Sequence, residues 1–272
     1  MILHEYEIVI PKRTKITILP CGDFHIGTKA CNIDKLKELI AWIRRMPNIY
    51  IFGMGDYIDA INLSDKRFDP DMLTKKINIK RLMQDQTQEC VDILMPIKHR
   101  IIGLGIGNHE LAIAKNYHYD AMIEICGKLE TKYLGWTSLT RIFIRRKGEN
   151  FGNCSVVTIF AEHSLIGGKK KGNKINSLED RSNDFEADIY LRGHSHEKIA
   201  TTRNILGLRP RGSLKLYNRK RVYAICSSFY HAYEPDTMTY AEIGGYSPTS
   251  TGVIRIDIEI KHDGSKDYHI WQ

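Results

Sequence analysis

Short runs of apolar, β-branched residues, each ending abruptly in a polar cluster, recur along this chain and leave few folds open to it. They occupy residues 15–19, 49–52, 101–104, 156–160 and 188–191. Because they are apolar throughout rather than alternating, they read as strands buried on both faces, and such strands need covering layers. Between them, residues 33–46 carry Leu36, Leu39, Ile40 and Ile43 at helical spacing, and residues 73–95 do the same with Ile77, Leu82, Met83, Val91 and Leu94. Residues 119–129 form a further expected helix, 141–146 and 221–226 further strands, and the polar stretch 61–71 a surface loop leading into the long helix. Strand and helix alternate, which predicts a layered α/β architecture with sheet inside and helices outside.

The 272 residues are 42% hydrophobic, ample for a buried core, and no repeat, low-complexity tract or linker divides them. One domain over residues 1–272 is expected. The opening MILHEYEIVIPKR lacks the continuous apolar stretch of a signal peptide or membrane span, so the expected setting is cytoplasmic, with no membrane partner. Six cysteines (Cys21, Cys31, Cys90, Cys126, Cys154, Cys226) form no CxxC pair, which argues against both a thiolate metal site and a disulfide framework. The net charge of +8 attracts polyanions, but solvated surface lysine produces the same excess.

In layered α/β proteins ligands bind beyond the carboxyl ends of the strands, where this sequence places its polar clusters. Five stations stand there: Gly22-Asp23-Phe24-His25, Gly55-Asp56-Tyr57-Ile58-Asp59, Gly107-Asn108-His109-Glu110, the lone His163, and Gly193-His194-Ser195-His196. Glycine opens all but the fourth, which suits tight turns and close approach of backbone to a bound group. One histidine in one loop is usually a surface or hydrogen-bonded residue. Five such stations, each after an apolar run, form a pattern. Imidazole with carboxylate and amide oxygen suits Mn²⁺, Fe or Zn²⁺ rather than Ca²⁺ or Cu(I).

The set D-x-H, G-D-x-x-D, G-N-H-E, H and G-H-x-H resembles the calcineurin-like metallophosphoesterase superfamily, from Asp23 through His196, and is similar to its phage and prophage-type members. The resemblance implies an α/β/β/α sandwich, with helices outside a central β-sandwich, and two divalent ions, Mn²⁺ first and Zn²⁺, Fe or Ni²⁺ as alternatives. It implies that Asp23, His25 and His196 hold one ion, that Asn108, His163 and His194 hold the other, and that Asp56 bridges them. His109 would then protonate the leaving oxygen, with Asp59 orienting its imidazole, while a metal-bridging hydroxide attacks phosphorus in line. Glu110 could cap a helix or support a ligand by a hydrogen bond. In protein serine/threonine phosphatases an arginine follows the second aspartate of G-D-x-x-D; here Ala60 does, which weakens a phosphoprotein reading.

The substrate is sought in what surrounds the stations. After His163 comes a glycine-flanked basic loop with Lys169, Lys170, Lys171 and Lys174, which could grip a nucleic-acid backbone or simply be solvated. Further cations stand at Arg141, Arg145, Arg209, Arg211, Arg219 and Lys220, and Tyr230, Tyr233, Tyr240 and Tyr246 could stack bases or pack a loop against the sheet. The leading expectation is a phosphodiesterase or nuclease acting on DNA or RNA. The alternatives are a phosphomonoesterase for a small phosphate or nucleotide, and a non-catalytic nucleic-acid-binding protein with structural metal.

Overall fold

The computed structural model describes the chain except residues 12–14, 62, 149–153, 165, 167, 169, 209–213 and 262–264. In one sheet β1 (Ile2–Ile10), β6 (Thr137–Arg146), β7 (Ser155–His163), β8 (Ile189–Gly193), β10 (Leu216–Ile225) and β9 (Ile199–Leu208) lie side by side in that order. In the other the order is β12 (Lys266–Trp271), β11 (Arg255–Ile260), β2 (Ile16–Cys21), β3 (Ile49–Gly53), β4 (Ile101–Gly105) and β5 (Tyr133–Gly135). The strands β2 to β5 run parallel, as do β7, β8 and β10, while β9, β11 and β12 add antiparallel edges.

Period-two side-chain alternation explains the layers. Ile16 and Ile18 of β2, Phe52 of β3, Val157 and Ile159 of β7, Ile189 and Leu191 of β8 and Val222 of β10 meet between the sheets. Their neighbours face outward. Leu19, Cys21, Ile49 and Ile51 pack under α1 (Ile33–Arg45), α2 (Leu82–Leu94) and α4 (Ala121–Leu129), while Phe160, Tyr190 and Tyr223 pack under Leu178 of α5 (Lys171–Asp184). The result is the expected α/β/β/α sandwich, and each fully buried apolar side chain contributes roughly 1.5–3 kcal/mol. No helix of the described residues is long and apolar enough to cross a membrane.

The helix expected over 73–95 begins only at Leu82. Residues 73–74 instead run extended back to the first station loop, where Thr74 N–H bonds the Gly27 carbonyl at 3.1 Å, and Asn78 caps a single 3₁₀ turn. The expected basic loop after His163 turns into α5 at Lys171. Its periodicity is silent because Leu178 alone is buried on it. A short helix, α3 (Asn108–Tyr117), starts inside the third station, where ligand-like residues mask a helix start.

Asp257 of β11, with its side chain 1% exposed, lies on the opposite face of its strand from Ile256 and Ile258, which enter the core between the sheets. It accepts from Thr17 Oγ1 at 2.6 Å, from Arg255 at 2.7 and 2.9 Å, from Lys15 Nζ at 3.1 Å and from Trp271 Nε1 at 3.1 Å. Burial alone would raise its carboxyl, but the bonds from Arg255, Thr17 and Lys15 prevail and hold it down to about 2. A depressed carboxyl stabilises above the unfolded value and loses that effect as pH falls through the folded one. Wild type is therefore expected to exceed Asp257→Asn by about 1–2 kcal/mol at pH 7, after screening at the partly exposed Lys15 and Arg255. The gap should close between about pH 4 and pH 2 in urea melts.

Candidate metal centre

The parallel strands of both sheets deliver their carboxyl ends to one edge, and backbone bonds lace the loops there. Asp23 N–H bonds Gly55 O at 2.8 Å, Phe24 and His25 N–H both bond Asp56 O, and Asp59 N–H returns to Ile26 O at 3.0 Å. Across the sandwich, His194 N–H reaches the Asp23 carboxylate at 3.1 Å, and His163 Nδ1–H donates to Met54 O at 2.7 Å. The glycines make the crowding possible: a Cβ on Gly107 would collide with the Asp56 carboxylate, and one on Gly55 with the Gly107 backbone. Asp23, His25, Asp56, Ala60, His194 and His196 all adopt positive φ, from 50° to 86°. Non-glycine residues hold such angles only where the surroundings over-determine them, at about 1–3 kcal/mol each, and such outliers cluster at functional sites.

The side chains converge into three overlapping groups whose ligand atoms lie within 4.8 Å of one another: Asp23 with His25 and His196, His25 with Asp56 and His109, and Asp56 with His163 and His194. Asn108 joins the third, its Oδ1 lying 3.0 Å from His163 Nε2 and 2.7 Å from His194 Nδ1. On the other side His25 Nε2 and His196 Nε2 face each other at 3.1 Å. Asp56 thus stands between the two expected ligand sets.

This packing suits cations. Burial, reinforced by neighbouring His109 and His196, keeps the His25 imidazole well below its usual value and so neutral, and burial lowers His194 to about 4. His163 departs the other way: burial opposes its charge, but Asp56 lifts it to about 10, while that buried Asp56 is held low by His163 and His109. An ion taking the place of that shared proton would free His163 Nε2 as a donor. Among the buried atoms of the described residues that lack a full hydrogen bond are three of this cluster, His25 Nδ1, Asp56 Oδ2 and Asp59 Oδ1. Orphaned donors and acceptors of this kind, in a set of imidazole, carboxylate and amide oxygen, fit divalent metal.

His109 is fixed by its own main-chain N–H on Asp56 Oδ1 at 3.0 Å and by Nδ1–H donating to the Asp59 carbonyl. Asp59 therefore meets this imidazole through its backbone carbonyl rather than its carboxylate. The carboxylate lies 3.7 Å from His25 Nδ1 instead, and burial pushes it up to about 6.

Glu110, which the sequence left open between a cap and a supporting bond, is both. Fully buried, its Oε1 accepts from Tyr57 and Ile58 N–H at 2.6 and 3.1 Å, and its Oε2 from Asp56 and Gly107 N–H at 3.0 Å each. One carboxylate thereby ties the second station to the third. Its place three residues past Gly107, at a helix start, was the available signal. Unforeseen in the sequence were Arg192, which is fully buried and joins Glu162 at 2.5 and 2.8 Å to Ser177 of α5, and Ser228, whose Oγ donates to Asp23 O at 2.8 Å.

Of the basic residues, Lys169, Arg209 and Arg211 lie outside the described residues. Lys174 is bound to Glu197 at 2.9 Å, which ties the first turn of α5 to the loop carrying His194 and His196. Lys170 and Lys171 stand exposed beside that tie. Arg141, Arg145, Arg219 and Lys220 are paired with Glu5, Glu7, Glu186 with Asp188, and Asp267 respectively. Tyr230 and Tyr240 pack on each other, with ring centroids 4.9 Å apart.

A family model described as calcineurin-like phosphoesterase matches residues 16–198. No curated protein matches the sequence. Among solved structures the chain is similar to wild-type Vps29 from Entamoeba histolytica complexed with zinc, at 12% identity and a TM-score of 0.38 over 94% of this chain and 98% of that one. It is also similar to a conserved protein of Streptococcus pneumoniae described as a predicted phosphoesterase, at 12% and 0.34 over 95% and 99%. A metallophosphoesterase from Sphaerobacter thermophilus matches at 13% and 0.39 over 94% and 89%.

Proposed function

This chain belongs to the calcineurin-like phosphoesterase family, metal-dependent hydrolases of phosphate esters, and from that premise we propose that it cleaves phosphodiesters of DNA or RNA. The observation that carries the reading is the meeting of all five stations in one buried cluster with Asp56 at its middle. In it Asp23, His25 and His196 would hold one divalent ion, Asn108, His163 and His194 would hold the other, and Asp56 would serve both. Bound there, the pair of ions supplies Lewis-acid activation of water and neutralises charge on the phosphate.

The chain's own groups do the rest. The Met54 carbonyl fixes the His163 tautomer so that Nε2 faces the centre. With Nδ1 committed to the Asp59 carbonyl, His109 keeps Nε2 for delivering a proton to the leaving oxygen. The exposed Lys170 and Lys171, held beside the site by the Lys174–Glu197 pair, meet the flanking phosphates of a polymer.

A second reading, a phosphomonoesterase for a small phosphate or nucleotide, is favoured by one observation: Arg141, Arg145, Arg219 and Lys220 are spent on acidic partners. Hydrolysis of bis(p-nitrophenyl) phosphate against p-nitrophenyl phosphate with Mn²⁺, followed by cleavage of single- and double-stranded DNA and RNA, decides between them. Preference for the monoester with no salt-sensitive nucleic-acid cleavage sinks the first reading. On diesters with an alkyl leaving group, His109→Asn should lower kcat by about 10²–10⁴, with far less effect on a nitrophenolate leaving group and unchanged metal content. Equal losses on both would refute the acid role.

A further inference from the structure

A column of rings rises from the metal side of the site to the surface. Tyr230 packs its ring 5.2 Å from that of His25 and 5.9 Å from that of His196. Tyr240 leans on Tyr230 with 35° between the planes, and the Arg67 guanidinium carbon lies 5.6 Å from the Tyr240 ring centre. The column is firmly seated: Tyr230 is buried and bridges to Cys31, and Thr239 caps the short helix α6 (Tyr240–Ile243) that carries Tyr240. Tyr240 lies between Tyr230 and Arg67, so the column is better suited to propping a cation than to stacking a base.

Among the described residues Arg67, with its side chain 38% exposed, is hydrogen-bonded within its own loop, by Nε to Asp65 Oδ1 at 3.0 Å and Nη2 to Asp65 Oδ2 at 2.7 Å. That bond spans two residues and ties no other element, so it does not account for where the guanidinium stands. Position does: the guanidinium rests on Tyr240, and Tyr240 rests on Tyr230, whose ring packs against both His25 and His196. The loop therefore stands at the end of the column that rises from the His25–His196 side of the site.

We infer that Arg67 is a substrate-binding residue, whose guanidinium, propped on the His25–Tyr230–Tyr240 column, leaves Asp65 to take the non-bridging oxygens of the phosphate ester. A planar fork matches a phosphate edge with two parallel N–H bonds, which an ammonium cannot do. Asp65 then serves as a competing anion that holds the fork in place until substrate arrives. The inference rests on the phosphate-ester reading above.

Inorganic phosphate is the probe, titrated by calorimetry into the full chain loaded with Mn²⁺ and used as a competitive inhibitor of bis(p-nitrophenyl) phosphate hydrolysis. Arg67→Gln should weaken phosphate binding about 10- to 100-fold and raise KM more than it lowers kcat, with metal content and melting temperature unchanged. Arg67→Lys should fall between, and Asp65→Asn, which removes the competitor, should tighten phosphate. Arg67→Gln binding phosphate as well as wild type overturns the assignment. So does Asp65→Asn weakening it as Arg67→Gln does, since loop integrity rather than charge would then be at work. A wild-type protein that neither binds phosphate nor hydrolyses either ester overturns the site reading as well, whereas loss confined to the Arg67 comparison leaves that reading standing.

Discussion

Asp56→Asn should abolish phosphate-ester hydrolysis, by on the order of 10³-fold or more, and remove bound metal in the same step. On the proposed reading this carboxylate would serve both ion sites, and losing several kcal/mol of transition-state stabilisation corresponds to that factor. The geometry makes this substitution clean. Asn keeps the shape, and an amide oxygen can still accept the His109 N–H that Asp56 Oδ1 takes at 3.0 Å, so the loops need not move. What disappears is the charge, carried by a carboxylate whose Oδ2 lies 3.2 Å from His163 Nε2. Thermal melts separate loss of metal from loss of fold. Mn²⁺ at 100 times its dissociation constant should stabilise wild type by about 2.7 kcal/mol over its own metal-free form, and the variant over its own by little or nothing.

Glu110→Gln should be the most damaging conservative change outside the ligand set, destabilising by roughly 2–5 kcal/mol. Each Glu110 oxygen accepts two backbone N–H groups, Oε1 from Tyr57 and Ile58 and Oε2 from Asp56 and Gly107. An amide can satisfy one pair only, and its NH₂ must then face the other two donors in a fully buried space. Two unsatisfied buried donors cost about 1–3 kcal/mol each. Because the affected pair includes either Asp56 N–H and Gly107 N–H or the turn just after Asp56, metal affinity should fall about 10- to 100-fold as well. Denaturant melts of metal-free protein read the first effect, and metal titration the second. A variant as stable as wild type would mean that Glu110 is protonated or that its loop relaxes.

Much of this was legible in the sequence, for a physical reason. Strands buried on both faces write themselves as apolar runs, and β2, β3, β4, β7 and β8 all fall on such runs within a few residues. Edge strands do not. In β1 the pattern Leu-His-Glu-Tyr-Glu-Ile alternates buried and exposed positions, and β9 exposes Leu206 and Leu208 on the sheet rim, so neither carries a continuous apolar signal. The helix α5 escaped because a polar surface helix has almost no period to read; it is held by Arg192 and Lys174 rather than by an apolar stripe. For the site, residue types, spacing and the family resemblance they carry were enough to collect the side chains that converge. They were not enough to say that Asp59 serves His109 through a carbonyl, or that four distant cations are already paired, because those outcomes depend on which atoms the backbone turns inward.

Where metal binds tests the two-ion centre most directly. Anomalous diffraction from crystals of the Mn²⁺-loaded protein should give two peaks, one among Asp23, His25 and His196 and one among Asn108, His163 and His194, with the Asp56 carboxylate between them and His109 bound to neither. A single peak, or a peak ligated by His109, would contradict it.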